Sequence, residues 1–412
     1  MMLKNRSFLI GFLFTLVLFL ALTFSPYFIK TSYNQTMRVY QIDKCLRDGQ
    51  IPCRWVPDLG QMYGYPLFNY YAPLPYYLGE AGYLLTHSFL LAVRVTFSLF
   101  GLVAYLFVYL MAPKFWTAKK KVFLGIFYSL VSSAVVIYGG TGSLGEIAVL
   151  ALIPALVWAL RRLICIPAEG SVLILSLVAA ISVLSHHIIA MLFLPASVVF
   201  LLSTLLSRRD FKQSLKFSLH SNFKLFKLSL ASLVLSLLLA SFYIVPLILE
   251  RDYVRSGESG LGYIYRIERS GADFLPSSVE ESSVKPTIPR YQVLTGESQI
   301  ADYQSGTNWI SFKTETKTHS IIRLSQFYFP NWRVLVDGKE AEISYKDNSL
   351  GLITFILGPG KHNVEARLFD TPVRDLANLA TGLGFFLYLA GVIVQIQPLR
   401  RWLSYYLNGL FR

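Results

Sequence analysis

The sequence predicts a polytopic α-helical membrane protein, with about 8–9 membrane helices and an extracytoplasmic β-sandwich domain before the last one. The chain has 412 residues, of which 54% are hydrophobic, and its mean hydropathy is +0.49. Long apolar runs alternate with short polar connections over most of the chain. Between about residues 253 and 372 they give way to charged and small residues with strand-like alternation. This pattern excludes an ordinary soluble enzyme.

The positive charge of the chain is distributed as in a membrane protein. The net charge is +14, but five segments hold 17 Lys and Arg residues with two acids, whereas the rest of the chain holds 21 bases and 22 acids. Such clusters are typical of cytoplasmic loops. The five segments are residues 1–7, 112–122, 161–169, 207–228 and 397–412. The charge therefore indicates a lipid bilayer as partner and requires no nucleic acid.

The first membrane helix is predicted at about residues 8–22, after a short basic segment. No small-residue cleavage site follows it, so we expect a retained anchor rather than a signal peptide. Residues 25–73 then form the first outer loop. Within this loop, residues 36–46 mix apolar and charged side chains and predict an amphipathic helix at the membrane interface. Cys45 and Cys53 flank a turn, and a disulfide between them is one option.

The most distinctive part of the chain is the stretch 49–78, which we call the aromatic loop. Its prolines and glycines set rigid corners and turns, so it does not read as a membrane-spanning helix. Arg54, Asp58 and a row of Trp, Tyr and Phe rings lie between them. Rings with a few convergent polar groups suit a sugar or a phosphorylated lipid head group. An aromatic belt at the membrane interface explains the same rings without a ligand.

The remaining apolar runs predict the other membrane helices. Residues 75–86 are too few to cross a ~30 Å hydrocarbon core, so we expect a re-entrant or tilted helix there. The next span carries Arg94, which costs roughly 2.5–3.5 kcal/mol to bury in lipid and should face protein or water. Full spans are predicted at about residues 88–111, 122–138, 147–160, 171–184, 188–206, 228–249 and 376–396.

The polar segment before the last span predicts a β-sandwich. Asp337-Gly338 is a strong signal for a two-residue hairpin turn. Residues 352–357 and 364–368 read as strands joined by a Gly-Pro-Gly sequence. Trp332 shares the alternation of the neighbouring valines, so we expect its ring in the core.

Three domains follow from this reading: a membrane helical domain at 1–250 that includes the outer loop 25–73, a β-rich domain at 251–373, and a final membrane helix with a basic tail at 374–412. Both termini are expected in the cytoplasm and the β domain outside the cell membrane. This topology brings four features to one outer face. They are the aromatic loop, the sequence GSLGE at 142–146, the sequence SHH at 185–187 and the β domain.

Several of these motifs resemble one family of bacterial membrane proteins, labelled 6-pyruvoyl-tetrahydropterin synthase-related. The aromatic loop, GQIPCRWVPDL followed by QMYGYPLFNYYAPLPYYL, resembles its signature. Later blocks occur in the same order: GSLGEIAVLALIPALVWALRRL, VLSHHIIAMLFLP and ASFYIVPLILERDYV. The segments FYFPNWRVLVDGKEAEI and GPGKHNVEARLFDTPVR resemble the outer β domain of this family and of related teichoic-acid glycosylation proteins.

The resemblance implies a GT-C-like fold and a function as an integral-membrane glycosyltransferase. Enzymes of that class move a sugar from a polyprenyl-phosphate donor, here to a cell-envelope acceptor. The family label does not imply pterin chemistry, because the six His residues form no metal-ligand cluster. Family members usually carry an acidic residue soon after the first span, whereas residues 25–37 here contain none. The alternative is a non-catalytic protein of the same fold that binds or helps assemble envelope glycan or lipid.

Two outer carboxylates are the candidate catalytic groups. Asp58 could act as a general base toward an acceptor hydroxyl. It could equally cap a turn or pair with Arg54. Glu146 begins an inward helix, where capping alone explains an anion. No metal ligands are predicted, although a divalent ion held by one of these carboxylates is an open alternative; no other cofactor is expected.

Nine further residues are candidate substrate-binding groups. The three arginines suit a lipid phosphate, the four rings suit a sugar and the two histidines suit a phosphate or hydroxyl. Each has a plain alternative as an interface residue, a packing residue or half of an ion pair. The residues are Arg38, Arg54, Arg251, Trp55, Tyr65, Tyr70, Tyr71, His186 and His187. The expected partner is a polyprenyl-phosphate-linked sugar or envelope glycan.

Overall fold

The computed structural model describes residues 5–396 except 61, 114, 194, 197–198, 200–214, 254–288, 347 and 349. Several predictions therefore lie wholly or partly outside the described residues, among them the basic tail at 397–412, the span at 188–206, the basic segment at 207–228 and the β-rich domain at 251–373. The helices with described bounds include α1 (Arg6–Thr23), α2 (Pro26–Thr31), α3 (Tyr33–Arg47), α4 (Leu67–Tyr70), α5 (Leu74–Thr86), α6 (Phe89–Met111), α7 (Ala118–Tyr138), α8 (Leu144–Cys165), α9 (Glu169–Ser185), α10 (Leu215–Leu249) and α11 (Pro372–Gln395).

Six helices in the described part of the chain are long and apolar enough to cross a membrane, which confirms a polytopic membrane protein. They are α1, α6, α7, α8, residues 223–249 of α10, and α11. Helix α9 is apolar but shorter, with 17 residues. Helix α5 has 13 residues, which is the short helix predicted before the second long span.

Polar side chains mark where the membrane helices begin. Asn5, Ser88, Thr117 and Ser143 each accept a hydrogen bond from a backbone N–H in the first turn of the helix that follows. These N–H groups have no partner inside the helix, so a side-chain oxygen at this position stabilises the helix start. The start of each of these helices is thus determined by residues that are close to it in the sequence.

The chain divides into two compact units, and the first is helical. It contains Met1–Thr36, Ala72–Ile244 and Ala377–Arg412. Helix α6 lies at its centre and packs against α1, α5, α7 and α8. Small residues permit these close approaches, since a Cβ on Gly101 would lie 2.0 Å from the ring of Phe19. Lipid-exposed apolar residues cover the outer faces of the helices, as expected for membrane spans.

Helix α11 packs on α10 through small residues. A Cβ on Gly384 would meet the backbone of Leu238 at 2.9 Å. One turn away, Thr381 Oγ1 accepts a hydrogen bond of 2.8 Å from the backbone N–H of Phe242. Glycine and threonine at such positions are common where membrane helices approach closely.

The second unit is β-rich and contains Met37–Tyr71 and Val245–Leu376. Among its described residues, eight antiparallel strands form two sheets, with orders β1-β4-β7 and β2-β3-β8-β5-β6. The strands are β1 (Tyr291–Thr295), β2 (Ser298–Ser305), β3 (Trp309–Thr316), β4 (Ser320–Phe327), β5 (Trp332–Val336), β6 (Lys339–Ala341), β7 (Leu352–Leu357) and β8 (Gly360–Leu368).

The predicted β-sandwich is confirmed. Buried residues from both sheets share one hydrophobic core, and Trp332 lies in it as predicted. Asp337 and Gly338 both have positive φ and join β5 to β6, with Val336 opposite Lys339. This is the predicted two-residue hairpin. The Gly-Pro-Gly sequence joins β7 of one sheet to β8 of the other.

The outer loop differs from the predicted domain division. The sequence predicts it as part of the helical domain at 1–250, whereas residues 37–71 belong to the same unit as the β strands. The reason is a set of contacts between residues that are distant in the sequence. Asp48 accepts hydrogen bonds from the backbone and side chain of Thr307 and from the indole of Trp309. A disulfide joins Cys45 and Cys53.

Helix α3, predicted as an amphipathic helix at the membrane interface, buries polar as well as apolar side chains. Val39, Gln41, Ile42 and Asp43 are all buried. An interfacial helix would leave its polar side in water. The helix is instead an internal element, because its polar side chains find partners within the protein, as Gln41 does with Asp58.

Candidate functional site

Glu146 lies in the helical unit, in the first turn of α8. Its backbone N–H donates to Ser143 Oγ at 3.3 Å, and its carboxylate accepts a hydrogen bond of 2.9 Å from Thr141 Oγ1. The carboxylate is half-buried, so it remains in contact with the surroundings of the protein. Capping therefore accounts for the position of Glu146 and leaves one carboxylate edge open to chemistry.

Two histidines lie beside this turn, as the sequence predicted for motifs far apart along the chain. A Cβ on Gly145 would lie 2.7 Å from the backbone oxygen of Ser185 and 3.4 Å from the His186 ring. Glu146 is close enough to His186 for an electrostatic interaction. The next residue, His187, shares a hydrogen bond of 2.7 Å between Nδ1 and the hydroxyl of Tyr243. The GSLGE and SHH motifs thus form one polar cluster.

The segment after α1 contacts the same turn. Gln35 Oε1 accepts hydrogen bonds from the Tyr76 hydroxyl at 2.7 Å and from the backbone N–H of Leu144 at 3.3 Å. A Cβ on Gly142 would lie 2.7 Å from the backbone of Thr31. Residues 31–35, which contain no acid, therefore lie against the turn that carries Glu146.

Asp58 lies in the β-rich unit and is held by α3. Its Oδ2 accepts hydrogen bonds from Gln41 Nε2 at 2.9 Å and from Lys44 Nζ at 2.5 Å. The ion-pair partner of Asp58 is thus Lys44, and not Arg54 as one sequence-based alternative had it.

Arg54 belongs to a buried polar network. Its Nη1 donates to Asn69 Oδ1 at 3.0 Å, and its Nε lies 3.4 Å from Asp370. Asn69 donates in turn to Glu250 Oε2 at 3.2 Å, and Arg374 Nε donates to the same oxygen at 2.9 Å. Thr371 donates to the other Glu250 oxygen. The network joins the aromatic loop to the end of α10 and the start of α11.

Trp55 is a core residue of the β-sandwich. Its side chain is 1% exposed, and its ring centroid lies 5.7 Å from that of Trp332 and 5.8 Å from that of Phe329. A sugar cannot stack on a ring whose faces are covered in this way. Trp55 therefore anchors the aromatic loop to the sandwich.

The three candidate tyrosines are half-buried. Tyr65 pairs through its backbone with Val56. The Tyr70 hydroxyl donates to the backbone oxygen of Glu250 at 2.7 Å, and burial raises the pKa of that hydroxyl. Tyr71 packs against Arg38, whose guanidinium carbon lies 4.2 Å from the ring centroid. Such cation–π contacts stabilise both partners.

Arg251 differs from the other candidate arginines because it is exposed. It lies in a short 3-10 helix and forms an ion pair of 3.5 Å with the exposed Asp252. Such surface pairs contribute little to stability. Arg251 is therefore accessible to an anionic ligand.

Sequence reasoning missed the partners of the candidate residues. Lys44 lies 14 positions from Asp58, and Tyr243 lies 56 positions from His187. Asn69 lies 181 positions from Glu250. The mixed composition of α3 could have indicated internal partners, but the same composition also predicts an interfacial helix. Among the described residues, no group of three or more His, Cys, Asp and Glu is placed to hold a metal ion.

Comparison with known protein families gives one match. A family model described as "6-pyruvoyl-tetrahydropterin synthase related domain; membrane protein" matches residues 68–260. The family suggested by the loop and helix motifs is therefore confirmed over this range, which contains Glu146, His186 and His187 but not Asp58. Comparisons with curated proteins and with solved structures gave no match.

Proposed function

We propose that this 6-pyruvoyl-tetrahydropterin synthase related membrane protein is a GT-C-like glycosyltransferase that uses Glu146 as its base. The proposal is carried by the half-buried Glu146 carboxylate, which lies beside His186 on a turn packed against residues 31–35. Members of the family usually carry an acid soon after the first span. Glu146 supplies a carboxylate next to the segment where this chain has none.

In the proposed reaction, the substrates are a polyprenyl-phosphate sugar and an envelope acceptor with a free hydroxyl. Glu146 takes the proton of that hydroxyl while the hydroxyl oxygen forms a bond to the anomeric carbon of the sugar. The bond between that carbon and the phosphate oxygen breaks, and its electron pair leaves with the polyprenyl phosphate. His186, beside Glu146 in the helical unit, is proposed to bind a phosphate or hydroxyl group of the substrates.

The proposed orientation puts both termini in the cytoplasm of the cell and the β-rich unit outside the cell membrane. The distribution of basic residues supports it. Cys165 is an exposed free cysteine at the end of α8, on the side proposed to be cytoplasmic. A membrane-impermeant maleimide should label Cys165 in inverted membrane vesicles and leave it unlabelled in intact cells. The reverse pattern would contradict this orientation.

A second candidate is a non-catalytic protein that binds envelope glycan or lipid. The ion pair between Asp58 and Lys44 favours it, since this pair gives the Asp58 carboxylate a structural role that needs no catalysis. The packing of Trp55 in the sandwich core also favours it, because the aromatic loop then serves to hold the β-rich unit together.

Turnover of polyprenyl-phosphate sugars by purified protein in lipid nanodiscs distinguishes the two candidates. We expect release of polyprenyl phosphate by the wild type and a loss of about 100-fold or more in Glu146→Gln, as for removal of a general base. The amide keeps the helix cap and the Thr141 contact, so the fold should be unchanged. Glu169→Gln, in the first turn of α9, is the matched control.

The turnover of the wild type and of two variants distinguishes Glu146 from Asp58 as the base, and an enzyme from a non-catalytic protein. If Asp58→Asn loses turnover while Glu146→Gln keeps it, Asp58 and not Glu146 would have the catalytic role. Binding of a donor without turnover by the wild type would favour the non-catalytic candidate. Normal turnover in both variants would contradict a catalytic role for either carboxylate.

A further inference from the structure

We infer that Arg94 and Phe24 form a binding site for the phosphate group of a membrane lipid. Arg94 lies in α6, and Phe24 is the residue at the end of α1. The guanidinium carbon of Arg94 lies 4.2 Å from the centroid of the Phe24 ring. The ring covers one face of the planar guanidinium and so fixes its orientation.

Arg94 has no counter-charge within the described part of the chain. None of the ion pairs there includes it. Its Nε is buried and has no hydrogen-bond partner among the same residues. The terminal nitrogens Nη1 and Nη2 are not buried in this way and have no partner among the same residues. N–H donors of a charged group without an acceptor are costly, so an acceptor from outside the protein is the expected partner of these two nitrogens.

The surroundings of Arg94 are apolar and open to lipid. Val95 and Leu99 of α6 are exposed, and so are Leu20 of α1 and Phe24 itself, which is 52% exposed. In a membrane helix, exposed apolar side chains of this kind face lipid. Arg94 is half-buried at the edge of this surface. Its free N–H groups therefore meet lipid rather than an acidic protein group.

The depth of Arg94 matches a lipid head group. Helix α6 begins at Phe89, so Arg94 lies roughly 7–8 Å along the helix from its start, at 1.5 Å per residue. Side chains in a helix tilt toward its N-terminus, and long basic side chains extend toward the membrane surface. The guanidinium thus reaches the boundary between head groups and acyl chains.

The chemistry of the site selects a phosphate. A guanidinium presents parallel N–H groups that match two oxygens of a phosphate. An acyl chain of the same lipid can lie over Val95 and Leu99. A neutral lipid offers the apolar contact but not the anion. The sequence predicts only that Arg94 should avoid lipid, whereas the structure assigns it a lipid partner.

Native mass spectrometry of the full-length protein tests this inference. The purified protein is delipidated in detergent and titrated separately with phosphatidylglycerol, polyprenyl phosphate and diacylglycerol. We expect one tightly retained phosphate lipid in the wild type and roughly tenfold weaker retention in Arg94→Gln, from the lost charge-assisted bonds. Arg94→Lys keeps the positive charge but lacks the parallel N–H groups of a guanidinium, so its lipid retention should lie between those of the wild type and Arg94→Gln.

Arg323→Gln is the matched control, because Arg323 lies on strand β4 of the β-rich unit and not on a membrane helix. Preferred retention of phosphatidylglycerol identifies a bilayer phospholipid as the source of the phosphate, and preferred retention of polyprenyl phosphate identifies an isoprenoid lipid. Equal retention by the wild type and Arg94→Gln would overturn the inference. So would equal affinity for diacylglycerol. If Arg94→Gln fails to fold, Arg94→Lys and Phe24→Leu provide the same comparison.

Discussion

Arg374 and Glu250 form a salt bridge whose two side chains are each only 1% exposed, with Nε and Oε2 2.9 Å apart. They lie at the start of α11 and directly after the end of α10. The pair is surrounded by further hydrogen bonds, from Asn69 on the aromatic loop and from Thr371. A charged pair this deeply buried is stable only because these extra bonds satisfy the remaining lone pairs.

The first prediction concerns this pair. Glu250→Gln removes the negative charge and leaves Arg374 buried without a counter-ion. We expect the free energy of unfolding to fall by about 3–5 kcal/mol, the usual cost of breaking a buried pair from one side. Thermal unfolding of the purified protein in detergent measures this change.

Arg251→Gln is the control for that measurement, since Arg251 is adjacent in sequence but exposed. It should change the unfolding temperature little. Equal effects of the two substitutions would mean that the buried pair does not stabilise the β-rich unit.

The second prediction concerns the disulfide between Cys45 and Cys53. It closes a short loop, with a sequence separation of 8, between the end of α3 and the aromatic loop. The chain-entropy model predicts a loss of about 2–3 kcal/mol of stability when both cysteines are replaced by serine. Thermal unfolding with and without reductant measures the loss in the wild type.

Maleimide labelling provides the independent test of the same disulfide. Unfolded, unreduced protein should take up one label, at the free Cys165. After reduction it should take up three, since the chain has three cysteines. Three labels without reduction would contradict the disulfide.

The third prediction compares two glycines of the outer loop. Both Gly64 and Gly49 have positive φ, at 72° and 76°. A Cβ on Gly64 would lie 2.6 Å from Trp55 Nε1, whereas a Cβ on Gly49 would have nothing within 4 Å. Gly49→Ala should therefore cost roughly 1 kcal/mol from backbone strain alone. Gly64→Ala should cost clearly more, because the Trp55 ring must move within the core.

Unfolding in urea distinguishes these two costs. If Gly64→Ala and Gly49→Ala shift the midpoint equally, the close approach to Trp55 does not constrain the loop. The near-UV circular dichroism of the tryptophans should change only in Gly64→Ala.

The fourth prediction is a pH dependence at the hairpin of the β-sandwich. His362 Nδ1 lies 2.8 Å from Asp337 Oδ2, and His362 Nε2 lies 3.1 Å from the backbone oxygen of Gly358. Both ring nitrogens face acceptors, which suits the protonated ring. The hydrogen bond with Asp337 raises the pKa of His362 above its usual 6.5. The same bond lowers the pKa of Asp337.

The direction in which stability changes with pH follows from the raised pKa of His362 and the lowered pKa of Asp337. The contribution of His362 to folding stability is fully present below its pKa in the unfolded chain, about 6.5. This contribution is lost as the pH rises through its raised pKa in the folded protein. The contribution of Asp337 is present above its ordinary pKa and is lost in more acidic solution. The unfolding temperature of the wild type should therefore fall relative to that of His362→Gln as the pH rises above 6.5. If the unfolding temperatures of the wild type and of His362→Gln change in parallel with pH, the stabilising interaction between His362 and Asp337 would be contradicted.

Much of the fold could be predicted because its signals are local. Apolar runs and capping side chains such as Ser88 and Ser143 mark the helices within a few residues. The Asp337-Gly338 turn marks its own hairpin, since positive φ is a property of two adjacent residues. The proximity of Glu146 and His186 also followed from the sequence, through the count of membrane crossings.

The roles of the candidate residues were not predictable in the same way. Asp58 and Arg54 are close in sequence, yet each is paired elsewhere, with Lys44 and with Asp370. Composition indicates that a charged side chain needs a partner, but the choice among partners depends on which backbones approach each other. The resemblance to a family supplied the expected chemistry and could not supply this geometry.

The sequence by itself therefore determined the membrane helices, the β-sandwich and the polar motifs, because hydrophobic periodicity and turn chemistry act over a few residues. Only the tertiary structure decided that Trp55 is a core residue of the sandwich, that Asp58 pairs with Lys44 and that Arg94 Nε has no hydrogen-bond partner among the described residues. Those outcomes depend on packing between segments far apart in the chain. No local pattern encodes which of several chemically suitable partners comes within contact distance.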